Sequence, residues 1–132
     1  MSYTNNPTSF IAGTGISITP GNGVGAEEVT ISALGSQTLA VRIATATPVA
    51  VTNTDDVVSV QVSPASAVAV NLPAGVSGRV FNIKDGLGNA SILDPITITP
   101  AAGTIDGAAT AVINVPFGSL TLVYDGVQWL LI

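Results

Sequence analysis

The chain has 132 residues, enough for one domain with its own core, and is 47 % hydrophobic but only 8 % charged, against about 25 % charged in an average soluble domain. Its basic residues are Arg42, Arg79 and Lys84, and the net charge is −5, which excludes the clustered cations that bind nucleic acid or an anionic membrane surface. The absence of His and Cys excludes disulfides, thiolate and imidazole metal sites, and Ser-His-Asp or Cys-His nucleophiles.

In chain order, the start Met1-Ser2-Tyr3-Thr4-Asn5-Asn6-Pro7 lacks the basic and apolar regions of a signal peptide. No apolar run reaches the length of a membrane span. Residues 1–36 read as an arm. Within them Ile16-Ser17-Ile18-Thr19 and Val29-Thr30-Ile31-Ser32 alternate apolar and polar around Gly21-Asn22-Gly23, a hairpin pattern. Such a hairpin buries too little to stand alone. Phe10, Ile11, Ile16, Ile18, Val29 and Ile31 are therefore the candidate docking or trimer-association residues.

Residues 37–132 read as a knob domain of short strands: Thr38–Ala46, Val57–Val62, Ala67–Leu72, Arg79–Lys84, Ile96–Thr99, Ala111–Asn114, Leu120–Tyr124 and Trp129–Ile132. Pro48, Pro64, Pro73-Ala74-Gly75, Asp85-Gly86, Asp94-Pro95, Asp106-Gly107, Pro116-Phe117-Gly118 and Asp125-Gly126 punctuate them. Val, Ile and Thr content favours pleated sheet, and no helical periodicity with caps is present. The expected fold is all-β: a short N-terminal arm or hairpin, then a β-sandwich or jelly-roll-like domain. Asp106-Gly107 and Asp125-Gly126 are expected as tight hairpin turns with positive φ at both central residues. Asp85-Gly86-Leu87-Gly88-Asn89 is expected as a wide hairpin turn. The final Trp129-Leu130-Leu131-Ile132 is expected as a paired, buried strand whose truncation unfolds the domain.

Six Asp, two Glu and one Lys remain for chemistry. A carboxylate pair can hydrolyse a glycosidic bond, but Asp85, Asp106 and Asp125 each precede Gly, where Asp side chains cap turns. Adjacent Asp55-Asp56 is the least explained pair, and two carboxylates fall short of the six to eight oxygens calcium takes. Catalytic, cofactor and metal residues are expected to be none. Gly13-Thr14-Gly15 links no strand to a helix, so it makes no dinucleotide site. Tyr124 and Trp129 are candidate glycan contacts; core aromatics near a hairpin are the competing reading.

Asn71-Leu72-Pro73, Gly78-Arg79, Asn82-Ile83-Lys84-Asp85, Ile96-Thr97-Ile98-Thr99-Pro100, Thr104-Ile105-Asp106-Gly107 and Tyr124-Asp125-Gly126-Val127-Gln128-Trp129 carry a resemblance. Over roughly residues 55–132 the chain resembles a domain of bacteriophage fibre, spike and decoration proteins. The segments Ile11–Ile18 and Val29–Ser32 are similar to segments of such fibres. The resemblance implies a β-rich, usually homotrimeric domain mounted on a virion, and no catalytic residues. With room for one arm and one domain, a capsid-decoration protein (cement, knob or head fibre) docked on the major capsid protein is expected. The alternative is a receptor-binding tip or small component of a tail fibre that contacts host surface glycans. Either is made in the host bacterial cytoplasm and ends in the virion. So hydrophobic and uncharged a chain needs a partner over part of its surface, or else a monomer surface of neutral Ser and Thr.

Overall fold

In a computed structural model, residues 38–132 are described in full, together with the backbone of residues 16–20 and 29–33. The chain divides into two compact units, Met1–Thr38 and Leu39–Ile132. In the first, β1 (Ile16–Pro20) pairs antiparallel with β2 (Val29–Ala33). Ile18 stands opposite Ile31 and Pro20 opposite Val29, with Ser17/Ser32 and Thr19/Thr30 between them. Phe10 and Ile11 lie outside the described residues, as do the side chains of Ile16, Ile18, Val29 and Ile31.

The second unit is all-β, with no helix among the described residues. Its strands are β3 (Val41–Ala44), β4 (Val49–Ala50), β5 (Val57–Val60), β6 (Val68–Asn71), β7 (Val80–Asp85), β8 (Ile96–Thr99), β9 (Ala111–Ile113), β10 (Ser119–Tyr124) and β11 (Trp129–Leu131). One sheet has the order β11-β10-β7-β5-β3, the other β4-β6-β8-β9. From β3 to β8 the chain alternates between the sheets. Each strand then lies parallel to the strand two earlier: β3 with β5, β5 with β7, β4 with β6 and β6 with β8. The path is a flattened coil of stacked rungs. Antiparallel strands close it, β9 on β8 and then β10 on β7 with β11 outside. A jelly roll joins its strands by antiparallel Greek-key connections; these parallel rungs are joined by crossovers between sheets.

Alternation builds the core from both sheets. Val58, Ile83 and Leu120 share one register row, Val49, Val70, Ile98 and Ala111 another, and Val68, Ile96 and Ile113 a third. Together with Phe81, Ile105, Leu122 and Trp129 they form a single buried cluster, with Leu120 at its margin. A fully buried Val, Leu, Ile or Phe contributes about 1.5–3 kcal/mol over an exposed one, so these rows hold the two sheets together.

Four local expectations change. Thr38–Ala46 contains only the short strand β3, and Pro48 then turns the chain into β4, two residues that no alternation could announce. The segment after Asp85 is a crossover from β7 to β8 between sheets rather than a hairpin turn. Asp106 (φ 47°) and Gly107 (φ 78°) do form a left-handed pair, bridged by Ile105 and Ala108. At Asp125-Gly126 only Gly126 has positive φ, and the connection spans Asp125 to Gln128, whose N–H donates to Asp125 Oδ1 at 2.8 Å. The C-terminal strand buries Trp129 completely but leaves Leu131 and Ile132 exposed.

Candidate interaction surface

Strand placement decides what each charged group can do. Asp55 and Asp56 sit in the bend leading into β5. Arg42 on β3 reaches Asp55 Oδ2 at 3.3 Å and donates to the Ala50 carbonyl at 2.7 Å. Arg79, just before β7, pairs with Asp56 Oδ1 at 2.9 Å and donates to the Asp55 carbonyl. The Ala40 N–H donates to Asp56 Oδ2 and the Thr52 N–H to Asp55 Oδ2, each at 2.8 Å. The Ala40 amide and then the Arg79 guanidinium hold the Asp56 carboxyl below its ordinary range. The pair that sequence left unexplained is thus a clamp between the first rung and β7, with its charge matched inside the chain. Among the described residues no group of three or more acidic side chains is placed to hold a metal ion.

Asp85 ends β7 and is buried. Its carboxylate accepts N–H bonds from Leu87 (3.3 Å), Gly88 (3.0 Å), Asn89 (3.3 Å), Ala90 (3.0 Å) and Phe117 (3.0 Å). Burial alone would raise its pKa; the amides of Ala90, Phe117, Asn89 and Leu87 outweigh burial and lower it. Asp85 therefore fastens the crossover loop to the Pro116–Gly118 turn. Phe117 in that turn has φ 57°, a conformation seldom adopted by a bulky residue. Its N–H is on Asp85, its carbonyl accepts from Lys84, and its ring lies against Gly88, where a Cβ would collide with it. This assembly is not legible in the sequence, where Pro116-Phe117-Gly118 reads only as a turn.

Asp125 accepts from the Val127 and Gln128 amides and has a lowered pKa through Gln128 first and Val127 second. Asp106 accepts weakly from the Leu131 amide at 3.3 Å. The cavity lined by Val60, Ser66, Asp85, Asn89 and Asp94 holds about 10 Å³, room for roughly one water.

The two aromatic candidates separate. Trp129 is 0 % exposed, with Phe81 at 5.3 Å and Tyr124 at 5.2 Å between ring centroids. A ring with no free face cannot stack on a sugar, so Trp129 is corrected to a core residue; Tyr124 is partly buried and packs on it.

Apart from Phe117, 59 % exposed, what the fold leaves uncovered among the described residues is aliphatic. Along the entry to the first rung, Leu39, Val41 and Ile43 are 69 %, 64 % and 60 % exposed. Leu39 precedes β3; within the strand, alternation puts Val41 and Ile43 on one side, beside half-buried Val57, the register partner of Val41. β3 is the terminal strand of its sheet. The opposite edge is covered: the Trp129 N–H donates to the Thr104 carbonyl and the Asp106 N–H to the Trp129 carbonyl, each at 2.9 Å. Ile92 and Leu93, at the tip of the crossover loop, are also exposed.

No protein-family model matches the chain, and no curated protein matches it.

Proposed function

We propose that this chain is a non-enzymatic structural protein of a bacteriophage particle, a homotrimeric capsid-decoration protein (cement, knob or head fibre) whose N-terminal arm docks on the shell. The observation that carries the structural part is the placement of its carboxylates. Asp55, Asp56, Asp85, Asp106 and Asp125 each accept from backbone amides. None of the three with a perturbed pKa is shifted upward, as the general acid of a glycosidase requires. These groups tie rungs and turns together.

The virion assignment rests on the sequence resemblance and fits a rigid, weakly charged β unit with aliphatic surface left over. Burial of Trp129 leaves the glycan-binding fibre tip only partly buried Tyr124 and the Asp-bearing loops to rest on, and decoration is the reading we adopt. Cryo-electron microscopy of intact particles, with the chain located by a bound antibody fragment, tests it. Density at regular positions on the icosahedral shell is the expected result. Density confined to the tail would replace decoration by the fibre reading, and particles without the chain would remove the virion assignment.

A further inference from the structure

Among the described residues, Asp106 and Phe117 are the two that have positive φ without being glycine. Aspartate tolerates the left-handed region. For a bulky residue it is an outlier, kept where the surroundings enforce it and found most often at functional sites. Three contacts hold Phe117 there. Its N–H is on buried Asp85, its carbonyl accepts from Lys84, and its ring lies on Gly88, whose own φ is 75° and which has no Cβ to obstruct it. Yet the ring is more than half exposed, so core packing does not account for a phenylalanine at this position.

The ring stands at the end of a polar row. Lys84 lies in β7, with Ser59 of β5 and Ser119 of β10 as its register partners on either side. Burial alternates along β5 and β7, with Val58, Val60, Phe81, Ile83 and Asp85 turned inward. Lys84 and the two serines therefore share the outward face. Gln61 extends the row, its Nε2 donating to Ser59 Oγ at 3.1 Å. The Lys84 ammonium is 5.8 Å from the Phe117 ring centroid, within cation–π reach. It is the only charged side chain that β5, β7 and β10 turn outward. Among the described residues it forms no ion pair, whereas Arg42 and Arg79 are both paired.

The chemistry of this face selects a ligand. An ammonium with no carboxylate on its own face recognises an anion. The exposed ring beside it takes an apolar face. Hydroxyls and a side-chain amide, which both donate and accept, match a series of neighbouring hydroxyl groups. β5, β7 and β10 are interior strands with both edges paired, so an extended peptide cannot add a strand here. We propose that this face binds a carboxylated saccharide. The carboxylate pairs with Lys84, the apolar face of the sugar ring lies on Phe117, and its hydroxyls exchange hydrogen bonds with Ser59, Gln61 and Ser119. From Ser59 to Ser119 the row spans two interstrand spacings, roughly 10 Å, room for one sugar unit. The site is separate from Tyr124 and buried Trp129, and is independent of where the chain is mounted.

The isotope-labelled full-length chain is titrated with sodium glucuronate and followed by amide chemical shifts. Saturating shifts are expected at Lys84 and from Phe117 to Ser119. Glucose and acetate each lack half of the contact and are expected to bind at least about tenfold more weakly. K84M, and F117N with an asparagine that tolerates the left-handed backbone, are expected to melt cooperatively and each to lose at least about tenfold in affinity. E27Q/E28Q, at the carboxylates outside the described residues, is expected to bind as wild type does. Binding about tenfold tighter in that variant would show Lys84 occupied by the chain itself and overturn the proposal. Acetate binding as tightly as glucuronate leaves a lysine–anion contact only and overturns the saccharide. A triglutamate peptide binding more tightly than glucuronate replaces the saccharide by a protein partner. Shifts that do not saturate, or an affinity unchanged in K84M and F117N, overturn the site altogether.

Discussion

Replacing Asp85 by Asn leaves one acceptor oxygen among the amides of Leu87, Gly88, Asn89, Ala90 and Phe117 and turns an amide NH₂ toward the others. A buried donor without its acceptor costs about 1–3 kcal/mol, so D85N is expected to lower urea-unfolding stability by roughly that amount. Acid acts on the same bonds. Backbone amides hold the Asp85, Asp56 and Asp125 carboxyls below the ordinary carboxylate range, with Arg79 also acting on Asp56. Their stabilisation is complete above the unfolded value and is lost as pH falls through the folded ones. With no His or Cys, the described unit has no side chain whose ordinary pKa lies between about pH 5 and 8. A denaturation midpoint flat over that window and falling below about pH 4 is the expected profile; a step near neutrality would contradict it. Trp129 supplies a second reading at this scale. As the only tryptophan, enclosed by Phe81 and Tyr124, it should emit at short wavelength and resist acrylamide quenching until the protein unfolds.

At the scale of elements, the turn at Asp106-Gly107 needs left-handed backbone at both residues. Gly107→Ala is expected to cost about 1 kcal/mol, read as a lowered melting temperature, and a melt unchanged by G107A would show the turn is not held this way. This turn was legible because Asp-Gly has one dominant use between strands. The strands were legible too, since burial in β5 to β9 follows their written alternation. Their partners were not. A period of two looks the same whether the neighbouring strand runs parallel or antiparallel, so the alternation of β3 to β8 between sheets left no trace in the pattern. The Asp55-Asp56 clamp was hidden for a related reason: Arg42 and Arg79 lie far from each other in the chain, and only the stacking of rungs brings both to one bend. Tyr124 and Trp129 were visible as a pair, but which side of the sheet they occupy depends on register.

For the whole molecule, closure at the C-terminal end decides how much chain can be lost. Leu131 and Ile132 are exposed, whereas Trp129 fills the core. Removal of residues 131–132 is expected to leave a folded protein with a slightly lower melting temperature. Removal from Trp129 onward deletes a large core side chain and the β10–β11 pairing, and is expected to abolish the cooperative transition. Circular dichroism melts of the two truncations separate these outcomes.

The stacked rungs also determine how this protein must be made. Val41 finds Val57, Val57 finds Asn82 and Val68 finds Ile96, so each parallel pairing closes a loop before any bond repays the lost chain entropy. Chains rich in such distant pairings fold on the millisecond-to-second scale. Meanwhile β5 and β7 wait with their edges bare. Crowding during synthesis then becomes a hazard, because a neighbouring nascent chain offers the same strands at closer range. Slow expression at low temperature should accordingly raise the soluble yield.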